Sequence, residues 1–172
     1  MQTEADVGSG MCYNRKMMIK DGKEYIDQVQ DLIVEYTRRL GRDLSFQNID
    51  EELKDPALKY TSPEGELLVA VDDEKDDGKK VIGMVAYHRL SESRCEMKRL
   101  YVDPSARGMR LGEKLAEAVI AHAKAAGFDE MVLDTITPLQ AAIHLYSKLG
   151  FQECEPYYNN PMDDVVYMKK TL

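Results

Sequence analysis

The sequence predicts an α/β (α+β) domain on a mixed central sheet of six to seven strands, flanked by about four helices. The N-terminal half of that sheet is expected to be antiparallel, with a parallel β-α-β step after it. Three observations carry this. Two amphipathic helical stretches, residues 23–40 and 108–126, each run into a glycine. Three short apolar runs separated by turn residues lie between them. A further apolar run follows the second helix at once, and a strand–helix–strand succession with short links implies a right-handed parallel crossover.

The 172 residues favour one domain with a single sizeable core. Hydrophobic residues make up 44% and charged residues 31%, ordinary for a globular chain. No run approaches the ~20 apolar residues of a membrane span, and no apolar leader opens the chain, so a cytoplasmic protein is expected. Cys12, Cys95 and Cys154 are widely spaced, and His88, His122 and His144 have no ligand spacing, so no metal site is expected. A net charge of −8 opposes general nucleic-acid binding.

Residues 1–12, with Gly8-Ser9-Gly10 and no periodicity, read as a flexible arm, leaving 13–172 as the domain. Residues 13–19 are a candidate first strand. In 23–40 apolar residues recur at Ile26, Val29, Leu32, Ile33, Tyr36 and Leu40, and Gly41 suits the left-handed residue that ends a helix. A short helix from about residue 48 to 54 is expected to stop before Pro56. Residues 67–71 are a continuous apolar run, hence a buried strand, and 81–88 returns from it through the charged link 72–80 as a hairpin.

Residues 95–102 make a third antiparallel strand, and the break of period at Lys98-Arg99-Leu100 is what a bulge produces. The helix 108–126 places Leu111, Leu115, Val119 and Ile120 on one face and stops at Gly127. Residues 131–135 are the parallel strand. Pro138 is expected to open a third helix to Leu149, with Gly150 after it. Residues 151–157 and 165–169 are read as two closing strands.

The stretch that points to chemistry is Arg99-Leu-Tyr-Val-Asp-Pro-Ser-Ala-Arg-Gly-Met-Arg-Leu-Gly112. A strand ends at Asp103-Pro104 and a compact Gly-bearing turn opens a helix. Such a start presents unpaired N–H groups at the positive end of the helix dipole, suited to a phosphate or pyrophosphate. Between Arg94 and Lys114 six basic side chains face three acidic ones, a basic island in an acidic chain.

Residues 99–115 resemble the cofactor-binding motif of the GNAT superfamily of acyl-CoA-dependent N-acyltransferases. That motif is Gln/Arg-x-x-Gly-x-Gly/Ala at a strand-to-helix turn after an apolar-Tyr-Val strand. Residues 141–151, Ala-Ala-Ile-His-Leu-Tyr-Ser-Lys-Leu-Gly-Phe, resemble the second motif, a helix bearing Leu-Tyr and closing with Gly-Phe. The resemblance runs from about residue 17 to the C-terminus. It departs at Arg110, which stands where the motif has its first glycine.

The resemblance implies an N-acetyltransferase moving an acetyl group from acetyl-CoA to a primary amine of a small molecule or peptide, without a covalent enzyme intermediate. The cofactor diphosphate is expected on the N–H groups of Arg107, Gly108, Met109, Arg110, Leu111 and Gly112, with Lys114 nearby. The pantetheine arm is expected along Leu100, Tyr101 and Val102, beside Thr137 and Ala142. A strand N–H would be an oxyanion donor, of a kind worth about 3 kcal/mol.

Tyr146 is implied as general acid toward the departing thiolate, and Glu96 as a base acting through water. On the residues alone Tyr146 reads equally as a core aromatic, and Glu96 as a partner of Lys98 or Arg94 on an exposed strand face. Phe46, Gln47, Tyr157, Tyr158 and Asn159 are candidates for the acceptor pocket, with Asp134 near it. The resemblance also allows a homodimer.

Two other classes stay open. Asp134 lies near the ribose-binding distance of a dinucleotide fold from Gly112, but the three-glycine spacing that fold needs is absent. A non-catalytic acyl-CoA-binding module on the same fold is the other, because fold does not fix function.

Overall fold

The computed structural model describes residues 16–73 and 79–172. The arm 1–12, the first residues of the candidate strand 13–19, and most of the charged link 72–80 lie outside the described residues.

The strands are β1 (Met17–Asp21), β2 (Gly65–Asp72), β3 (Lys80–Arg89), β4 (Arg94–Val102), β5 (Glu130–Ile136), β6 (Gln152–Glu153) and β7 (Val165–Thr171). They form one sheet in the order β1-β2-β3-β4-β5-β7-β6, parallel between β4 and β5 and antiparallel elsewhere. The α-helices are α1 (Ile26–Leu40), α2 (Ile49–Lys54), α3 (Pro56–Lys59), α4 (Leu111–Ala125) and α5 (Gln140–Lys148).

The continuous apolar run in β2 has a simple cause, since both faces of the sheet are covered. Leu67, Val69 and Val71 pack with Val29, Leu32 and Ile33 of α1, while Leu68 and Ala70 join Leu115, Ala116 and Val119 of α4 on the other face. Each fully buried Val or Leu contributes about 1.5–3 kcal/mol. Gly41 ends α1 at φ 63°, the left-handed conformation read from the sequence.

Four boundaries differ from the sequence reading. Pro56 does not simply stop α2: it is the first residue of a one-turn helix, α3, which Asp55 caps through the Ala57 N–H at 3.0 Å. The long helix begins at Leu111 rather than residue 108, because Gly108 (φ 84°) and Arg110 (φ 55°) are left-handed. The third helix begins at Gln140 rather than Pro138, after a turn in which the Leu139 N–H donates to the Ile136 carbonyl. The closing strand expected at 151–157 is only Gln152–Glu153. Cys154 N–H still donates to the Tyr167 carbonyl, but Pro156 has no N–H to continue the ladder, and Tyr157 and Tyr158 turn onto the Tyr167 ring.

The bulge in β4 is present and sets up the rest. Ala86 pairs Lys98 and Met84 pairs Tyr101, so Arg99 and Leu100 together oppose Val85, with Arg99 at φ 60°. A bulge bends its strand. The β4–β5 ladder accordingly holds for only Arg94–Glu130, Cys95–Met131 and Glu96–Val132. Beyond it the two strands part.

Candidate active site

The parted ends of β4 and β5 leave a slot lined by Leu100, Leu133, Thr135, Ala142 and Tyr146. Asp103 N–H donates to the Ile82 carbonyl of β3. By the two-residue alternation of a strand, Val102 and Leu100 direct their main-chain groups to the other side, where no partner strand continues. The Tyr101 side chain packs against the α1 face and meets Tyr36 edge-on, and its main chain pairs with Met84 of β3, so Tyr101 does not line the slot.

At the outer end of the slot lies the start of α4. No side chain caps this helix, so the N–H groups of its first turn are open. Arg110 occupies the N-cap in a conformation that glycine adopts freely and other residues at a cost of about 1–2 kcal/mol. Its guanidinium lies along the helix and donates to Glu113 from Nε (3.0 Å) and Nη2 (2.8 Å). Lys148 pairs the other oxygen of Glu113 at 2.7 Å. Arg110 thus neutralises a carboxylate beside the turn and leaves the turn's backbone clear. At Gly112 a Cβ would meet only Val102 and Leu145, at 3.8 and 4.0 Å, so nothing in the protein itself requires glycine there. That open side is what close approach of a bulky anion needs.

The inner end of the slot meets a cleft of about 900 Å³, and Gln47 and Lys98 line both. Phe46, Tyr157 and Tyr158 line the cleft, together with Lys59, His88 and Glu96. Glu96 is not on an exposed strand face: it is 5% exposed and fully engaged. His88 Nε2 lies 2.6 Å from its Oε2, while Tyr157 donates to Oε1 at 2.8 Å and Lys98 Nζ stands 3.4 Å from the same oxygen. Burial alone would raise the Glu96 carboxyl, but the His88 bond, the Lys98 charge and the Tyr157 hydroxyl together hold it down at about 2. The same burial and the Glu96 charge push the Tyr157 phenol far up, so it remains a donor.

Asp134, across the strand gap, accepts from Tyr158 at 2.7 Å and from Asn160 Nδ2 at 3.2 Å, with Lys98 Nζ 3.7 Å from its other oxygen. Behind Lys98 the bulge residue Arg99 is locked to Glu52 of α2 by two bonds of 2.8 and 3.0 Å, and donates to Gln47 Oε1 at 3.0 Å. The left-handed backbone of Arg99 and this buried bidentate pair fix the bulge from both sides of the chain.

Tyr146 packs in the core edge-on to Phe151, yet borders the slot. Its ring is thus a core aromatic with one side on the slot. Burial pushes its phenol well above the usual range. Cys95 is buried, with its thiol pushed up to about 12 by that burial.

The site is thus a slot between splayed parallel strands, with an uncapped helix start at one end and a polar cleft at the other. The family model described as "Acetyltransferase (GNAT) family" matches residues 26–151. The chain belongs to the GNAT acetyltransferase family. An N-acetyltransferase of Schizosaccharomyces pombe, itself described as uncharacterized, is 43% identical over 145 residues, covering 84% of this chain and 86% of that one. An acetyltransferase structure from Streptococcus agalactiae is similar at TM-score 0.73 and 25% identity, over 91% of this chain and 98% of that one. The Campylobacter jejuni N-acetyltransferase PseH, in complex with acetyl coenzyme A, shares the fold at TM-score 0.60 and 18% identity, over 91% and 99% of the two chains.

Within this GNAT domain the other expected residues fall as follows. Gly108, Arg107 and Lys114 are exposed about the turn, and Met109 and Leu111 turn their side chains into the core beneath it. Thr137 is exposed past the end of β5, its N–H bound to the Asp164 carbonyl, and does not line the slot. Asn159 is also exposed and lines neither cavity: its neighbour Asn160 is the one that reaches Asp134 and Tyr158. Sequence reasoning did not find His88, Lys59, Lys98 or Glu52 as site residues. Only the hairpin register, which sets His88 opposite Glu96, could have paired the first of these. Among the described residues no group of three or more His, Cys, Asp or Glu side chains could hold a metal ion, and no helix is long and apolar enough to cross a membrane.

Proposed function

We propose that this GNAT acetyltransferase moves an acetyl group from acetyl-CoA to a primary amine of a small molecule or peptide, by direct attack within a ternary complex. One observation carries the reading. The slot and the cleft meet at Gln47 and Lys98, so an acyl donor in one and an amine in the other come together with no Ser or Cys side chain at the junction.

The N–H groups at the start of α4 would hold the diphosphate, and the main chain of Leu100 and Val102 the amide-bearing arm. Acetyl-CoA supplies the activated acyl group and the thiol leaving group. Tyr146, kept protonated by burial, serves as the slot's proton donor. A carboxylate held near pH 2 is a weak base, so Glu96 does not act alone. We assign the base to the pair: the His88 imidazole takes the proton, directly or through water, while Glu96 orients the ring and balances its charge. Lys98, 3.4 and 3.7 Å from two carboxylates, helps hold Glu96 ionised beside the incoming amine.

The test is thiol release on mixing the protein with acetyl-CoA and a panel of amines. Turnover with converging double-reciprocal lines is expected; parallel lines would indicate an acyl-enzyme and overturn direct attack. Acetyl-CoA binding without turnover on any amine would favour a non-catalytic acyl-CoA-binding module.

A further inference from the structure

We propose that the acceptor is an amine carrying a carboxylate close to it, so that its class is that of free amino acids. This rests on the acetyltransferase reading above. The observation behind it is a pair of under-used ammonium groups in the acceptor cleft. Lys98 has a side chain only 8% exposed and three N–H donors, yet its described partners are Glu96 Oε1 at 3.4 Å and Asp134 Oδ1 at 3.7 Å. Lys59 is half-buried over the Tyr60 ring, and its nearest carboxylate oxygen is Glu52 Oε2 at 3.5 Å. That carboxylate is already taken on both oxygens by Arg99. A buried cation without full partners is costly, and an anionic oxygen in the cleft relieves it for both lysines.

The opposite requirement stands beside it. Glu96 and His88 line the same cleft and face the reacting amine, and Glu96 touches Lys98. An anion held by Lys98 and an amine facing the His88–Glu96 pair must therefore be near neighbours in one molecule, as they are on a single carbon. The cluster of Lys59, Lys98 and Arg99 against Glu52, Glu96 and Asp134 is balanced in charge, which suits a dipolar ligand. A polyamine would set its second cation against Lys59 and Lys98. Burial, with Lys98 and Arg99 close by, already pushes the Lys59 ammonium below its ordinary value despite Glu52, so a further cation there is disfavoured.

The experiment uses the full chain in three steps. Calorimetry with acetyl-CoA establishes the donor site. Thiol release is then followed with alanine, leucine, phenylalanine and glutamate, each beside its α-carboxamide and its decarboxylated amine, and with spermidine. For at least one side chain the acid should exceed its amide in kcat/KM by about tenfold or more. In K59M that ratio should fall to roughly threefold or less through a higher KM for the acid, and K59R should restore it. Amides, simple amines or spermidine used as well as every acid would overturn the proposal, as would an unchanged ratio in K59M, or turnover of other amines with no acid accepted. Failure to bind acetyl-CoA, or binding with no turnover on any amine, would instead overturn the reading on which the proposal rests.

Discussion

His88 and Glu96 sit directly opposite one another on β3 and β4, and the imidazole Nε2 lies 2.6 Å from the carboxylate Oε2. The pair is cross-strand and almost wholly inside the cleft wall. Neither side chain can move without the other losing its partner.

Glu96→Gln keeps the side chain's shape but removes the charge that orients and balances His88. We expect kcat/KM to fall by about 10²-fold, within the usual range for a proton-transfer residue. Because Glu96 is held down at about 2, the wild-type pH–rate profile should show no limb at the ordinary carboxylate range of pH 4–5. A limb there that disappears in Glu96→Gln would show Glu96 titrating normally and contradict its burial.

The same shift makes a stability prediction. A carboxyl depressed from 4.5 in the unfolded chain to about 2 in the folded one stabilises fully above pH 4.5, and loses that contribution as pH falls toward 2. The contribution is on the order of 3 kcal/mol. Urea melts of wild type and Glu96→Gln should therefore converge between pH 4.5 and 2.

Gly112→Ala separates folding from cofactor binding. Alanine is a better helix former than glycine by up to about 1 kcal/mol, and its Cβ has room in the protein. The ligand-free protein should melt at the same or a slightly higher temperature, while acetyl-CoA binding weakens by about tenfold or more through crowding of the diphosphate. Unchanged affinity by calorimetry would place the anion elsewhere.

Tyr146→Phe should lower kcat by about 10²-fold while leaving acetyl-CoA affinity within roughly threefold, because it removes a proton donor and keeps the ring that packs on Phe151. Equal turnover would leave Tyr146 as a core aromatic alone.

Glu52→Ala should be the most destabilising of these changes. It strands the buried Arg99 guanidinium, and breaking a buried pair this way costs about 3–5 kcal/mol. Chemical denaturation would measure it, and a loss near that of an exposed ion pair would mean Arg99 finds another partner.

Much of this was readable from the sequence because it is local. Periodicity gave the order of elements, the break at Lys98-Arg99-Leu100 announced the bulge, and the turn with its basic residues marked the helix start. What escaped reading depends on register and packing. His88 acquires its role only when β3 pairs with β4, and Lys59 only when a helix too short for periodicity begins at Pro56. Arg110 broke a motif in the sequence. Its left-handed backbone explains both the family's glycine and the start of α4 three residues later than periodicity suggested.

The three-pair ladder between β4 and β5 makes the sheet two leaves sewn along a short seam. One leaf holds β1 to β4 and the other β5, β7 and β6, each complete in its own antiparallel rungs. The gap in which an extended cofactor would lie opens directly from the end of this seam. A ligand bound there at 100 times its dissociation constant adds about 2.7 kcal/mol to the folded state. Because such a ligand binds the folded domain and not the unfolded chain, the resistance of the protein to unfolding follows the supply of its acyl donor.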